Sequence, residues 1–301
     1  MCATRSSPSP KITVERIPMQ EKVKIVQTLL EALPYIKKFH GDIVVIKYGG
    51  SAQTSDDLKA QFAQDIVMLH TVGMKPVVVH GGGKSISALL EDLGIESRFV
   101  DGQRVTTKEA MRVVEMVLSG EINKEIVALL NSQGAHAVGI SGKDANLMEA
   151  TAKDAGEFGY TGVIGQVNPE IVEAILERGF VPVIAPIAGG GSLGHPGYNI
   201  NADLAASRIA MALGARKVVF LTDTPGVLDK EGRLLTNLSI AQTEERKRDG
   251  TIHGGMVPKV DACIEALRGN VKKAHIIDGR IEHALLLEIL TNRGIGTCIE
   301  L

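Results

Sequence analysis

Apolar residues along this chain fall into two rhythms. Short, nearly unbroken runs rich in β-branched residues occur at Ile43–Ile46, Pro76–His80, Ala137–Ile140, Val181–Ile187, Lys217–Thr222 and Ala274–Ile277. Such runs read as strands buried on both faces. Between them lie segments with apolar residues three and four apart, which read as helices: Asp57–Leu69, Ser85–Leu93, Lys108–Leu118, Ile122–Leu130, Ile171–Arg178, Ala202–Leu213, Val257–Arg268 and His283–Thr291. The alternation predicts an α/β protein, a three-layer αβα sandwich around a mostly parallel central sheet. Residues 224–233 read as turn and hairpin material. No fixed-period repeat interrupts the pattern, and no shift of composition divides the chain into independent domains.

One segment precedes the first strand. Glu21–Phe39 carries Val23, Val26, Leu29, Leu30 and Leu33 at helical spacing. Pro34 is expected to kink or interrupt this helix. Its apolar stripe has to be covered either by its own domain or by a neighbouring subunit, so residues 20–40 stand apart as a candidate oligomerisation helix. Residues 1–19 hold Ser6, Ser7, Pro8, Ser9 and Pro10 and lack the hydrophobic core of a signal peptide. They are expected to form a disordered tail.

Composition narrows the function classes. The formal net charge of −2 supplies no global basic field for nucleic acid. No apolar run reaches membrane-spanning length. Cys2, Cys263 and Cys298 are widely spaced, without the CxxC of a zinc site or a disulfide framework, which fits a reducing compartment. The expected location is the cytoplasm, with the chloroplast stroma as the alternative if the tail is the remnant of a transit peptide.

Three glycine-rich loops follow strands: Lys47-Tyr48-Gly49-Gly50-Ser51, His80-Gly81-Gly82-Gly83-Lys84 and Gly189-Gly190-Gly191. In open parallel sheets, ligands gather at the carboxyl ends of strands. Glycines there let backbone N–H groups approach an anion, and a following helix adds its dipole. The first two loops are therefore candidate phosphate or carboxylate cradles. The second is no P-loop, because Val78 stands where the first glycine of G-x-x-x-x-G-K-[ST] belongs. Gly190-Gly191-Ser192-Leu193-Gly194 fits the letters of a hydrolase nucleophile elbow, but that motif needs a helix straight after the serine. Gly194, Pro196 and Gly197 oppose one, so a serine hydrolase stays a minor alternative. A G-x-G-x-x-G dinucleotide fingerprint is absent.

Certain charged residues sit where a charge needs a reason. Lys47 ends an apolar strand, which is costly for an ammonium without an anion or the surface nearby. Asn199, Asn201 and Asp203 crowd the start of one helix more densely than a single N-cap requires. Lys259 falls in the first turn of another, beside Pro258, where the helix dipole disfavours a cation unless an anion is bound.

Together these residues resemble the amino acid kinase family, and within it the branch whose acceptor is N-acetyl-L-glutamate. The matching pieces are Val-Ile-Lys47-Tyr-Gly-Gly, Val-Val-His80-Gly-Gly-Gly, Asp-Gly-Gln-Arg104-Val-Thr, Tyr-Asn199-Ile-Asn201-Ala-Asp203, Leu-Thr-Asp223-Thr-Pro-Gly226-Val and Gly-Gly-Met-Val-Pro-Lys259. They run in one order from about Gly41 to the C-terminus. The resemblance implies ATP-dependent phosphorylation of the γ-carboxylate of N-acetyl-L-glutamate, with Mg²⁺ carried by the nucleotide phosphates and no dedicated protein metal site. It gives residues 41–190 to the acceptor and residues 191–301 to the nucleotide, as lobes of one continuous domain. Lys47 and Lys259 would hold the transferring phosphoryl group, Asp203 would position them, and Gly50 and Gly82 would donate backbone N–H groups. Gly82, Gly83, Arg104 and Asn199 would bind the acceptor. Lys217, Thr222, Asp223 and Gly226 would surround the nucleotide.

The N-terminal helix resembles that of arginine-inhibited members of this branch. That likeness implies a homo-hexamer built as a trimer of dimers, with L-arginine as inhibitor and Tyr35, His275 and Glu288 as its ligands. It also admits a PII-type nitrogen signal protein as a partner. Two departures stand out: Lys84 follows the glycines where many relatives have proline, and Thr151–Gly165, which would cover the acceptor site, is shorter than in some relatives. Rival readings are an aspartate, glutamate or carbamate kinase and a non-catalytic arginine sensor. An aspartate kinase usually has a C-terminal regulatory domain, for which no room remains after Leu301.

Overall fold

A computed structural model describes residues 18–53, 55–100, 102–291 and 294–301. The expected disordered tail, residues 1–19, lies outside them but for its last two residues. The chain opens with α1 (Met19–Phe39), then runs through β1 (Ile43–Tyr48), α2 (Asp56–Thr71), β2 (Lys75–His80) and α3 (Gly83–Asp92). Next come β3 (Arg98–Val100), β4 (Gln103–Val105), α4 (Lys108–Glu115), α5 (Asn123–Ser132), β5 (Ala137–Gly142), β6 (Met148–Ala152), β7 (Gly162–Val167), α6 (Glu170–Glu177), β8 (Val181–Ala188) and β9 (Tyr198–Asn199). The remainder holds α7 (Ala202–Ala212), β10 (Lys217–Thr222), β11 (Asn237–Ser239), α8 (Ile240–Arg248), α9 (Met256–Arg268), β12 (Lys273–Asp278), α10 (Ala284–Leu290) and β13 (Thr297–Glu300).

Among the described residues, one nine-stranded sheet has the order β11-β13-β12-β10-β1-β2-β8-β5, with β9 added to β8. From β12 to β5 every neighbouring pair is parallel. Two antiparallel joints, β12–β13 and β8–β9, lie towards the ends. Successive strand residues point to opposite faces, and the two faces have separate cores. Val44, Ile46 and Tyr48 of β1 pack with α2, α3, α4, α5 and α10. Val45, Val77, Val79 and Phe220 pack with α6, α7 and α9. This is the expected three-layer sandwich. The topology reverses at β1, which has β2 on one side and β10 on the other, and ligands of open α/β sheets bind at such a switch point.

Local sequence explains the helix starts. Ser55 accepts from Leu58 N, Thr107 from Ala110 N, and Asn201 from both Asp203 N and Leu204 N. Each satisfies an N–H group that the first helical turn leaves free.

The structure departs from the sequence reading at several places and decides one point that reading left open, the cover of the α1 stripe. The two helices expected at 108–118 and 122–130 are one continuous rod, joined by a π-helical turn at Met116–Ile122; Gly120 lies inside it and does not end the helix. Helix α1 runs through Pro34 without a break. Proline removes only its own N–H, and the carbonyl left free belongs to the exposed side of the molecule at Leu30. The stripe of α1 does not fold back on its own domain: Val23, Val26, Leu29 and Leu30 are each about half exposed, at 49–59%, and only the end of the helix, Tyr35, Ile36 and Phe39, joins the core. Finally, two small hairpins outside the main sheet, β3–β4 and β6–β7, had no clear signal in the apolar pattern.

Candidate active site

The carboxyl ends of β1, β2, β8 and β10 bring the predicted groups to one edge of the sheet. Lys47 is the fifth residue of β1, in register with Val79 of β2 and Phe220 of β10. It is 9% exposed, so its ammonium is nearly stripped of water. Its partner comes from α7: Lys47 Nζ stands 2.9 Å from Asp203 Oδ1. Lys259, in the first turn of α9, donates to the other oxygen, Asp203 Oδ2, also at 2.9 Å. The Lys47 contact is an ion pair lying off the hydrogen-bond direction of Oδ1. Burial alone would raise the pKa of Asp203, but the two ammonium groups outweigh it and hold the carboxyl at about 2. The cluster is thus two cations bridged by one anion, with a net positive charge. Asn201 does the capping of α7, and Asp203, the second helical residue, is left free for the lysines.

The glycine loops fit this edge in different ways. Beside Gly49 there is no room for a side chain: a Cβ would stand 2.6 Å from Leu221 O and 3.2 Å from Lys47 Nζ. Gly50 and Gly83 face open space, so their backbone is accessible to a ligand. Gly82 is closely packed, since a Cβ there would press on Ile122 Cδ1 and Leu118 Cδ2 of the π-helical turn at 2.5 and 2.6 Å unless those side chains moved. His80 is fully buried and kept neutral, its pKa pushed down by burial to about 4. Its Nδ1–H donates to Gly81 O at 3.0 Å, and Nε2 accepts from Asn123 Nδ2 at 3.2 Å. This ring braces the loop and carries no charge. Lys84 is exposed in the first turn of α3.

A cavity of about 200 Å³ opens between the second loop and the start of α7, lined among others by Gly82, Gly83, Arg104, Leu118, Asn199 and Asn201. Arg104 is 6% exposed. Its Nη2 donates to Gly83 O at 3.1 Å and Ser87 Oγ at 2.8 Å, its Nη1 to Ser97 Oγ, and its guanidinium lies 4.6 Å from the Phe99 ring centre. Among the described residues no carboxylate lies within ion-pair distance of it, and burial lowers its pKa. A buried guanidinium held by neutral groups at the wall of a cavity is prepared for an anion from outside. The hairpin β6–β7 closes this side: Thr106 N donates to Phe158 O at 3.1 Å and Tyr160 N to Thr106 O at 2.7 Å.

At the carboxyl end of β10, Thr222 Oγ1 donates to Asp223 Oδ1 at 3.2 Å. Gly226 has φ +144°, and a Cβ there would stand 2.6 Å from Thr297 Oγ1. Thr222, Asp223 and Gly226 therefore share one turn. Lys217 does not join them. It begins the same strand, about 16 Å away at roughly 3.3 Å per residue, and lines a different cavity. Its expected grouping with the nucleotide residues is corrected by that placement: on a fully extended strand, six residues span the whole sheet.

The second cavity, about 670 Å³, brings Lys217 together with Tyr35, Phe39, His275, Glu288 and Cys298. Burial lowers the Lys217 pKa to about 8, and its ammonium lies 4.4 Å from the Phe39 ring centre. His275 Nδ1 and Glu288 Oε1 are 2.6 Å apart. Burial lowers the pKa of His275. For Glu288, burial raises it, but the bond from His275 and backbone N–H groups of Ile295 and Gly296 bring it below the usual value. The pair is then a neutral imidazole donating to an ionised carboxylate. His275 Nε2 is left as a buried lone pair without a partner among the described residues.

Ser192 is exposed, and a turn at Leu193–Gly194 follows it. No helix starts before Ala202, so the strained elbow that a serine hydrolase needs is not formed. Thr106, Thr161, Ser87 and Ser97 were missed by sequence reasoning; single hydroxyl residues carry no spacing signal.

The pattern of the amino acid kinase family matches residues 42–278. An acetylglutamate kinase of Sulfurovum sp. (strain NBC37-1) is 71% identical over 94% of this chain and 100% of its own length. Another, of Campylobacter curvus (strain 525.92), is 55% identical over 94% and 100%. Among solved structures, an N-acetylglutamate synthase from Neisseria gonorrhoeae, complexed with coenzyme A and N-acetyl-glutamate, superposes with a TM-score of 0.81 at 25% identity, over 92% of this chain and 63% of that longer one. A carbamate kinase from Giardia lamblia shares the fold at 18% identity and a TM-score of 0.66. With the family pattern spanning both halves of the sheet and relatives aligned almost end to end, the chain belongs to the amino acid kinase family.

Proposed function

We propose that this chain transfers the γ-phosphoryl group of ATP to the γ-carboxylate of N-acetyl-L-glutamate. The observation that carries the reading is Arg104, a buried guanidinium without a carboxylate partner among the described residues, in a cavity whose wall includes Asn201 and Ala202, the residues next before Asp203 of the Lys47–Asp203–Lys259 cluster. The relatives named above support the same acceptor. Arg104 and Asn199 bind the carboxylate distal to the reaction, and the planar fork of arginine suits it. The reacting γ-carboxylate is already ionised near neutrality, with an ordinary pKa of about 4.3, so no base is needed. ATP with Mg²⁺ on its phosphates supplies the phosphoryl group and part of the charge neutralisation. Lys47 and Lys259 hold the oxygens of that group, Gly50 and Gly82 offer N–H groups, and Asp203 holds both lysines at fixed spacing. The turn of Thr222, Asp223 and Gly226 lies on the nucleotide side. The acceptor lobe is thus residues 41–190 and the nucleotide lobe residues 191–301, meeting at the β1–β10 pairing.

The larger cavity suits L-arginine. Ionised Glu288 and the bare Nε2 of His275 accept from a guanidinium, Lys217 pairs with a carboxylate, and Tyr35 brings the end of α1 to the same place. The exposed stripe of α1 fits helix exchange between dimers of a hexamer. The bacterial relatives favour a cytoplasmic setting over a chloroplast stroma.

The test is ADP release from ATP and Mg²⁺ with N-acetyl-L-glutamate, glutamate, aspartate or no acceptor, each with and without L-arginine. Turnover confined to N-acetyl-L-glutamate, with a raised acceptor KM in Arg104→Lys, is the expected result. Turnover with another acceptor keeps the family and changes the substrate. Arginine binding without any turnover would favour a non-catalytic sensor.

A further inference from the structure

Arg104 and Asn199 face the same cavity from different parts of the chain, and two buried hydroxyls connect them. Thr161 Oγ1 is 2.5 Å from Arg104 O. Thr161 Oγ1 and Thr106 Oγ1 are 2.9 Å apart, and Asn199 Nδ2 is 3.2 Å from Thr106 Oγ1. Thr106 is 0% and Thr161 6% exposed.

The direction of each bond in this chain is forced. A carbonyl oxygen only accepts, so Thr161 commits its single hydroxyl proton to Arg104 O. Thr161 can then only accept from Thr106, which in turn commits its proton. Thr106 is left with lone pairs towards Asn199, so the amide must turn its Nδ2 and not its Oδ1 to it. The backbone of Thr106 is itself gripped on both sides, by Phe158 O and Tyr160 N, so the relay cannot drift. An amide free to flip by 180° would exchange donor and acceptor towards a ligand; this one has a single orientation.

We infer that Thr106 and Thr161 form a one-way hydrogen-bond relay that fixes the Asn199 amide relative to Arg104, making both threonines positioning residues for the acceptor. The inference rests on the reading above, in which Arg104 and Asn199 bind the acceptor. Loss of the relay leaves the phosphoryl-transfer cluster untouched, so it acts on acceptor binding. In Thr161→Val the freed Thr106 proton can turn to Asn199 Oδ1 and flip the amide; in Thr106→Val the amide loses its partner.

The experiment compares Thr106→Val, Thr161→Val and the corresponding serine variants in steady-state kinetics, with thermal midpoints recorded in parallel. In both valine variants the KM for N-acetyl-L-glutamate should rise about tenfold, roughly the worth of one buried hydrogen bond. Nucleotide KM and kcat should stay within about twofold, and serine at either position should restore the acceptor KM. In an Asn199→Ala background, Thr106→Val should add less than about twofold, because the amide it orients is gone. An unchanged acceptor KM with a lowered thermal midpoint would show the hydroxyls to be structural only and overturn the inference. So would a parallel change of kcat and both KM values, or failure of serine to rescue. If the unmodified chain gives no turnover with N-acetyl-L-glutamate, the functional reading itself falls, and that outcome is seen before any variant is compared.

Discussion

Replacing Lys217 by methionine should make the resting protein more stable, although it deletes a charged side chain that faces a carboxylate. Burial holds the Lys217 pKa at about 8 against the ordinary 10.5. At about 1.4 kcal/mol per pH unit, keeping the proton costs the folded state about 3 kcal/mol at neutral pH. Contact with the Phe39 ring at 4.4 Å returns about 1 kcal/mol that methionine partly replaces by packing. The expected gain is therefore about 1–3 kcal/mol, or roughly 2–6 °C in the melting midpoint for a chain of this size. The pH dependence has a definite sign. Because the folded pKa is below the unfolded one, the penalty is complete below about pH 8 and fades as pH rises towards 10.5. The wild type should gain stability over that window relative to Lys217→Met, and the difference between their melting curves isolates this one group. The variant should also lose inhibition by L-arginine while keeping kcat within about twofold. A methionine variant that melts lower at pH 7, with no convergence of the two proteins by pH 10, would refute the burial argument.

Asp203→Asn should lower kcat at least about 100-fold, since it removes the charge that sets both lysines. It should also flatten the acid limb of stability: a carboxyl held at about 2 favours folding above its ordinary value near 3.8 and loses that contribution as pH falls through 2, a dependence absent in the variant and readable by acid titration of the far-UV signal. Gly226→Ala should cost about 1–3 kcal/mol in urea denaturation, from φ +144° and the 2.6 Å approach to Thr297 Oγ1. A Leu29→Glu, Leu30→Glu double variant should sediment as a smaller species at equal concentration with turnover retained; an unchanged mass would remove α1 from the assembly.

The six inner parallel strands were legible because they are buried on both faces and appear as apolar runs such as Val77 to Val79, whereas β9, β11 and β13 at the antiparallel ends were not read, β9 and β11 being short and partly polar. The hairpins β3–β4 and β6–β7 were not legible, because their short strands expose residues such as Arg98, Phe99 and Val163 and form no unbroken apolar run. The gap expected between Leu118 and Ile122 closed because the packing of these two residues on Gly82 supplies what the local helix propensity of Ser119 and Gly120 lacks. The Lys47–Asp203–Lys259 cluster could be read because each lysine is a charge in a place that disfavours it and Asp203 is more than the single N-cap of α7 requires. Lys217 was grouped with the nucleotide residues by resemblance, which does not say that it stands at the opposite end of β10 from Thr222. The relay from Asn199 to Arg104 joins residues up to 93 positions apart, beyond the reach of any local pattern.

Strand β10 holds Thr222 at one edge of the sheet and Lys217 at the other, about 16 Å apart. Substitutions at such a distance combine nearly additively. If the larger cavity takes L-arginine as proposed, that preference is free to drift, or to vanish, under selection that leaves turnover alone. Substitutions around that cavity would then change what it binds without altering the chemistry, because the backbone between the two edges is common to both and indifferent to either.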